Sequence, residues 1–236
     1  MRLDEKIVLL GLTSSRSQAV NYIKLGYVAV DGLIIKKPSY FVNNHQLVKL
    51  KNKIIYVNRG ALKLASVAEK FKLDFKNKTI LDVGSSTGGF TDFSLKNGAR
   101  KIVAVDVGSF QLHPSLINNP KIELYEKTDI RDFITKELFD YILIDVSFIS
   151  ISHIIEKIYL LASKDTLVCL LIKPQFETSK NNLNDIGIVK NDRIRRDIFK
   201  NIEKKFFKNF LIINKADSII FGKKGNHERF YLLKKI

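Results

Sequence analysis

The chain has 236 residues, 45% of them hydrophobic, with 40 Lys and Arg against 24 Asp and Glu and a formal net charge of +16. That hydrophobic share calls for a buried core, in one large domain or in a small and a medium one. A single cysteine, Cys169, excludes a disulfide framework or a cysteine-bound zinc; no apolar stretch approaches the roughly 20 residues of a membrane span, and the charged start Met1-Arg-Leu-Asp-Glu5 does not read as a signal peptide.

A reducing, cytoplasmic setting is therefore expected, with no metal site and no membrane partner. The charge is uneven along the chain. Residues 1–60 hold ten Lys and Arg against three Asp and Glu, residues 61–172 hold fourteen of each, and residues 173–236 hold sixteen against seven. Two basic ends favour a polyanion, because each phosphate neutralised releases condensed counterions. A merely solvated basic surface is the plainer alternative, and the motifs decide between them.

Ser15-Arg-Ser-Gln18 is a capping-box pattern that opens a helix, and Gly26 stops it. Residues 27–35 read as two short strands around Asp31-Gly32, a dipeptide suited to a tight hairpin turn. On the helix, Ala19, Tyr22, Ile23 and Gly26 are expected to face inward. Arg16 and Lys24, with Lys36 and Lys37 beyond the hairpin, would form a basic face. Arg2-Leu-Asp, then Ser-Arg with Ala and Ile at helical spacing, then Gly-x-Val-x-Val-x-Gly up to Gly32, together resemble the S4 RNA-binding domain. The resemblance implies contacts with structured RNA, with Arg2, Arg16, Ser17 and Lys24 as the candidate residues. A first domain over 1–52 and a basic connection over 53–58 follow, and a second domain over 59–236.

From Thr79 onward, strand-like runs at Thr79–Val83, Lys101–Val105, near 123–127, Tyr141–Ile144 and Leu167–Ile172 alternate with helical stretches such as 152–162. That alternation predicts a parallel α/β sheet. A charged amphipathic helix over 191–207 and strand-like segments at 210–214 and 230–233 complete the chain.

Asp82-Val-Gly-Ser-Ser-Thr-Gly-Gly-Phe90 follows the first of these strands, where glycines let backbone approach a ligand. Its spacing is wrong for the Gly-x-Gly-x-x-Gly of a dinucleotide. S-adenosylmethionine has no phosphate and carries a cationic amino-acid end, so Asp82, Gly84, Ser85, Ser86, Thr87, Gly88, Gly89 and Phe90 are its candidate contacts. Asp106, twenty-two residues after Gly84, is placed to accept both hydroxyls of a ribose. Asp129 is a candidate for the adenine amino group, or a helix cap.

Four further segments meet the functional edge: Arg59-Gly-Ala-Leu-Lys63, Asp145-Val-Ser-Phe148, Lys173-Pro-Gln-Phe-Glu177 and Gly225-Asn-His-Glu228. With the glycine loop, they resemble the TlyA (haemolysin A) family of ribosomal RNA 2′-O-methyltransferases, over nearly the whole chain. Two positions depart from its pattern: Asn58 stands where the family often has Ser, and His227 fills a variable position. The resemblance implies an α/β fold: a Rossmann-like, S-adenosylmethionine-dependent methyltransferase sheet with helices on both faces, behind a small α+β S4 domain.

That family and its RrmJ/FtsJ-like relatives use a Lys-Asp-Lys-Glu tetrad, which falls here on Lys63, Asp145, Lys173 and Glu228. Lys173 is the candidate base, since a neighbouring Lys63 and partial burial would favour the free amine that accepts a proton. Asp145 and Glu228 would orient it, and Lys63 would alternatively steer the ribose or its phosphate. Arg59 is a further RNA-contact candidate. Phe90, Phe148 and Phe176 flank the pocket; stacking on a base is the functional reading, core packing the simpler one. The implied substrate is a cytidine of ribosomal RNA within ribosomal subunits, at a large-subunit site with a small-subunit site as the wider option.

Three alternatives carry other expectations. A non-catalytic S4 protein needs a broken loop or tetrad, and neither is broken. A membrane-active haemolysin needs an apolar span or a long basic amphipathic helix. An S4-bearing pseudouridine synthase has no use for the Asp82–Phe90 loop.

Overall fold

Leu3 and Ile7, one helical turn apart, give α1 (Leu3–Leu9) its buried stripe, and Ala19 and Ile23 do the same for α2 (Arg16–Lys24). These helices belong to the first of two units, Met1–Ile55 and Tyr56–Ile236, seen in a computed structural model that describes residues 1–13, 15–51, 56–206 and 208–236. The Ser15 hydroxyl caps α2 by accepting from the Gln18 backbone N–H at 3.3 Å. Strands β1 (Val28–Val30) and β2 (Leu33–Ile34) form the expected hairpin, with positive φ at both Asp31 and Gly32. A third strand that sequence reading did not anticipate, β3 (Val48–Leu50), pairs on the other side of β1. The Asp31 carboxylate pins it, accepting from Leu47 N at 2.8 Å and Gln46 Nε2 at 2.9 Å.

The candidate RNA-contact arginines already have partners within this unit. Asp4 is buried, and it accepts from Arg2 Nε and Arg16 Nε, each at 3.0 Å. Burial alone would raise the Asp4 carboxyl, but the bonds from the two guanidinium groups hold it below its ordinary range. Arg16 also pairs with Glu5 at 3.1 Å. Ser17 is exposed and Lys24 half-buried.

The second unit opens with α3 (Arg59–Ala68), capped by Asn58, whose Oδ1 accepts from Gly60 N and Ala61 N. The predicted connection lies partly outside the described residues. Its end is bonded into this unit: Val57 N donates to Asp92 at 2.9 Å, and Asn58 Nδ2 donates to Thr87. There follow β4 (Thr79–Val83), α4 (Gly89–Lys96), β5 (Lys101–Val105), the short α5 (Pro114–Ile117), β6 (Ile122–Tyr125) and β7 (Tyr141–Ile144). Next come α6 (Ile155–Leu161), β8 (Leu167–Ile172), α7 (Asp192–Phe206), β9 (Phe210–Asp217) and β10 (Arg229–Lys235). The predicted helix at 152–162 thus divides into a 3-10 turn, Ile151–His153, and α6. The end of the 191–207 prediction, residue 207, lies outside the described residues.

The seven-stranded sheet has the order β6-β5-β4-β7-β8-β10-β9. Its first five strands are parallel, and β10 runs antiparallel to both β8 and β9. The alternating segments thus form the parallel sheet expected of them, and β10 with β9 makes the whole a mixed one. Strands β4, β7 and β8 are nearly continuous apolar runs because both faces are covered. Leu81, Val83, Ile142, Ile144, Val168 and Leu170 pack with Ile158 of α6 and Phe199 and Ile202 of α7. Their neighbours Ile80, Tyr141, Leu143, Cys169 and Leu171 pack with Leu64 and Val67 of α3 and Phe90 and Phe93 of α4. Truncating one such residue, Ile142→Ala for instance, would cost about 2–5 kcal/mol. Among the described residues no helix is long and apolar enough to cross a membrane, and no cluster of His, Cys, Asp and Glu is arranged to hold a metal ion.

Candidate active site

The carboxyl ends of β4, β5, β7 and β8 share one edge of the sheet, and two adjoining cavities open there. The first, about 580 Å³, is bordered by the loop after β4, the start of α3, Asp145, Ser147, Lys173 and Lys223. The second, about 450 Å³, has mostly apolar walls, including Val105, Val107, Ile130 and Ile149, with Asp106 and Asp129 among them. Gly84, Ser86, Asp145 and Ser147 border both.

The loop after β4 has the glycines its path requires. Gly84 has φ +79°, and a Cβ there would lie 3.1 Å from the Asp145 carbonyl oxygen. Gly89 packs against Asn58 so closely that a Cβ would overlap its Oδ1. Gly88 is the left-handed cap of α4 and is not itself part of the first cavity's wall, whereas Ser85, Ser86, Thr87, Gly89 and Phe90 are. Phe90 is buried and lies against Phe230, with 6.1 Å between ring centroids.

Asp82 is buried on the α4 side of the sheet. One oxygen accepts from Thr91 Oγ1 at 2.6 Å, and the other, Oδ1, has no partner. Burial pushes its carboxyl up to about 7, the Thr91 bond opposes that, and the charges of Asp145 and Asp106 add to it. Ser85 Oγ beside it is likewise buried without a partner. Asp106 is held by the loop, accepting from Ser86 N at 2.8 Å and Gly108 N at 2.7 Å. An unpartnered acid oxygen in one cavity, and an oriented carboxylate in an apolar neighbour, fit the cationic amino-acid end and the adenosine of S-adenosylmethionine. Asp129 also borders the second cavity, but both its oxygens are engaged by Arg131, and one accepts from the Arg131 backbone N–H. No helix follows Asp129, so this bond closes a turn, and the helix cap weighed from sequence does not form.

The four tetrad candidates come together as two ion pairs. Lys173 Nζ lies 2.7 Å from Asp145 Oδ1 and donates to Ser147 Oγ, also at 2.7 Å. Lys63 Nζ lies 2.7 Å from Glu228 Oε2. Each lysine thus has its own carboxylate, rather than both carboxylates orienting Lys173. The antiparallel course of β10 is what brings Glu228 here. Arg229 pairs with Ile172, so the residue preceding β10 meets the residue following β8. Gly222 leaves room for the Glu228 carboxylate, since a Cβ there would stand 2.6 Å from its Oε1.

The loop after β7 is tied to the loop after β8 at three further points. Phe148 has φ +64° and is 91% exposed, and its ring centroid lies 5.0 Å from that of half-buried Phe176. Core packing therefore describes Phe90 and not Phe148. Glu177 accepts from Ser150 Oγ at 2.6 Å and Ile151 N at 2.8 Å; burial raises its carboxyl and these bonds lower it. Ser147, Glu177 and Lys223 had not been singled out by sequence reading. The first two lie inside the motifs quoted for Asp145 and Lys173, and nothing in the local pattern marks the third.

The model of the FtsJ-like methyltransferase family matches residues 56–235, and that of the S4 domain matches residues 1–48. The chain is 46% identical, over 75% of its length and 70% of the relative's, to a Campylobacter jejuni protein named 23S rRNA (cytidine-2′-O)-methyltransferase TlyA. It is 37% identical to Hemolysin A of Brachyspira hyodysenteriae over 97% of both chains. A solved structure from Streptococcus thermophilus described as a hemolysin superposes with a TM-score of 0.73 at 32% identity, covering 100% of this chain and 88% of that one.

Proposed function

This chain belongs to the TlyA/hemolysin A proteins, within the FtsJ-like methyltransferases, and from that premise we propose that it methylates a ribose 2′-oxygen of a cytidine in large-subunit ribosomal RNA. The observation that carries the reading is the pair of lysine–carboxylate contacts, Lys173–Asp145 and Lys63–Glu228, at the cavity bordered by the glycine loop.

S-adenosylmethionine supplies a methyl group on a positively charged sulfur, an electrophile that needs no further activation. Asp82 Oδ1 and Ser85 Oγ receive its amino-acid end, and Asp106 receives the ribose hydroxyls. A ribose hydroxyl is a weak nucleophile until its proton leaves, so the protein's task is a base and alignment. Lys173 Nζ takes that proton, and Asp145 and Ser147 fix its position. Lys63, fixed by Glu228, steers the ribose or the adjacent phosphate. Phe148 offers an exposed ring on which the target base can stack. The first unit grips structured RNA. Because Arg2 and Arg16 brace Asp4, their remaining N–H groups serve that contact together with Ser17 and Lys24.

The test is transfer of labelled methyl from S-adenosylmethionine to purified ribosomal subunits that lack the modification, with free ribosomal RNA for comparison. Nuclease mapping should place the label on one ribose 2′-oxygen of the large subunit. Label on a base, or no label on either subunit despite cofactor binding, would refute the reading.

A further inference from the structure

Four cations border the first cavity: Arg59, Lys63, Lys173 and Lys223. Lys63 and Lys173 are paired with Glu228 and Asp145. Arg59 and Lys223 form no ion pair among the described residues, and both are exposed. They are nonetheless drawn together. Arg59, the first residue of α3, donates through Nη2 to the Phe221 carbonyl oxygen at 2.8 Å, so its guanidinium lies on the turn that carries Lys223 two residues later. That bond uses one of five guanidinium donors and leaves the rest to other acceptors.

The charge balance of the cavity says what those acceptors are. The cofactor that the site fits is a net cation, because its sulfonium and ammonium outweigh one carboxylate. Two unpaired cations beside it raise the local positive potential, which favours an anion from the second substrate. Every nucleotide of an RNA brings a phosphate, and Lys223 borders the cavity while remaining exposed to solvent.

We propose that Arg59 and Lys223 form a phosphate clamp at the mouth of the first cavity, holding the backbone phosphate next to the ribose that is methylated. The inference rests on the reading of this site as an RNA ribose methyltransferase. Arg59 supplies planar, directional donors, and Lys223 supplies a mobile point charge. A phosphate fixed there limits where the neighbouring 2′-oxygen can lie relative to Lys173 Nζ. The remaining oxyanion source is the cofactor's own carboxylate, and the experiment separates the two.

Lys223→Gln and Lys223→Arg would be compared with the wild-type chain in methyl transfer to unmodified large ribosomal subunits, across about 50–200 mM salt. Cofactor binding would be followed separately by calorimetry with S-adenosylmethionine alone. The Gln variant should raise KM for the subunit about fivefold at low salt and flatten the log–log salt dependence of kcat/KM by about one. Its affinity for S-adenosylmethionine should stay unchanged, which also reports an intact fold, and the Arg variant should restore the salt slope. Unchanged KM and slope would overturn the clamp. Weakened cofactor affinity with an unchanged slope would overturn it too, assigning Lys223 to the cofactor carboxylate. A wild-type chain that methylates no ribosomal RNA would remove the functional reading, and the clamp with it.

Discussion

Replacing Asp82 by Asn should change how stability depends on pH while removing an acceptor from the proposed cofactor site. The Asp82 carboxyl has an ordinary value of 3.8 and is pushed up to about 7, chiefly by burial. A carboxyl raised on folding favours the fold in its protonated form. Its contribution is in place below the unfolded value and is lost as pH rises through the folded one. At about 1.4 kcal/mol for each tenfold change, this one group should take about 4 kcal/mol from the wild-type protein between about pH 4 and pH 8. Asn cannot ionise, so the variant lacks that slope. Asn Oδ1 can still accept from Thr91, but its amide nitrogen would sit where Asp82 Oδ1 now has no partner, at about 1–3 kcal/mol irrespective of pH. Without added cofactor, Asp82→Asn should therefore be the less stable protein near pH 4 and the more stable one near pH 8. Denaturant unfolding at constant ionic strength across that range reads the gap directly. Parallel pH profiles, or a gap that moves the other way, would refute the argument that Asp82 is held at the expense of the fold.

Lys173→Ala and Asp145→Ala should each lower single-turnover methyl transfer by about 10²–10⁴-fold, with calorimetric affinity for S-adenosylmethionine retained; near-normal turnover in both would sink the assignment. Gly84→Ala must place a side chain at φ +79° and 3.1 Å from the Asp145 carbonyl. It should cost about 1–2 kcal/mol in thermal unfolding and lower turnover as well. Phe148→Gly relieves a left-handed backbone at an exposed position, so it should be neutral or stabilising by up to about 1 kcal/mol. The same variant should raise KM for the RNA substrate, because the ring is gone.

The parts legible in sequence are those where local chemistry and final environment agree. β4, β7 and β8 are buried on both faces, so their residues read as nearly continuous apolar runs, broken in β4 by Asp82, and Asp31-Gly32 adopts the positive φ pair that its composition favours. The loop from Asp82 to Phe90 is a continuous string whose glycines are forced by φ or by close approach, and such a string needs no partner to be noticed. The three-residue β3 is too short to show a period, and its anchoring by Asp31 depends on a residue sixteen positions away. Partner choice within the tetrad was hidden for a related reason. Which carboxylate Lys63 meets depends on β10 lying beside β8, and no periodicity encodes that. Asp129 and Arg2 show the converse, since an ionic residue with a plausible ligand can be claimed first by a neighbour two residues away.

The position of β10 has a consequence for the order in which the sheet can assemble. Among the described residues β9 pairs with the sheet only through β10, although it precedes β10 in the chain. It therefore has no docking edge until a later segment has inserted beside β8, a non-local pairing of the kind that slows folding. β8, β10 and β9 should protect their amides from hydrogen exchange as one cooperative block, opening together. Because Glu228 leads directly into β10, the same late event that closes the sheet also delivers the carboxylate to Lys63. A nascent or locally unfolded chain can then present a formed glycine loop and a paired Lys173 while the proposed catalytic set is still incomplete, which would tie activity to completion of the fold.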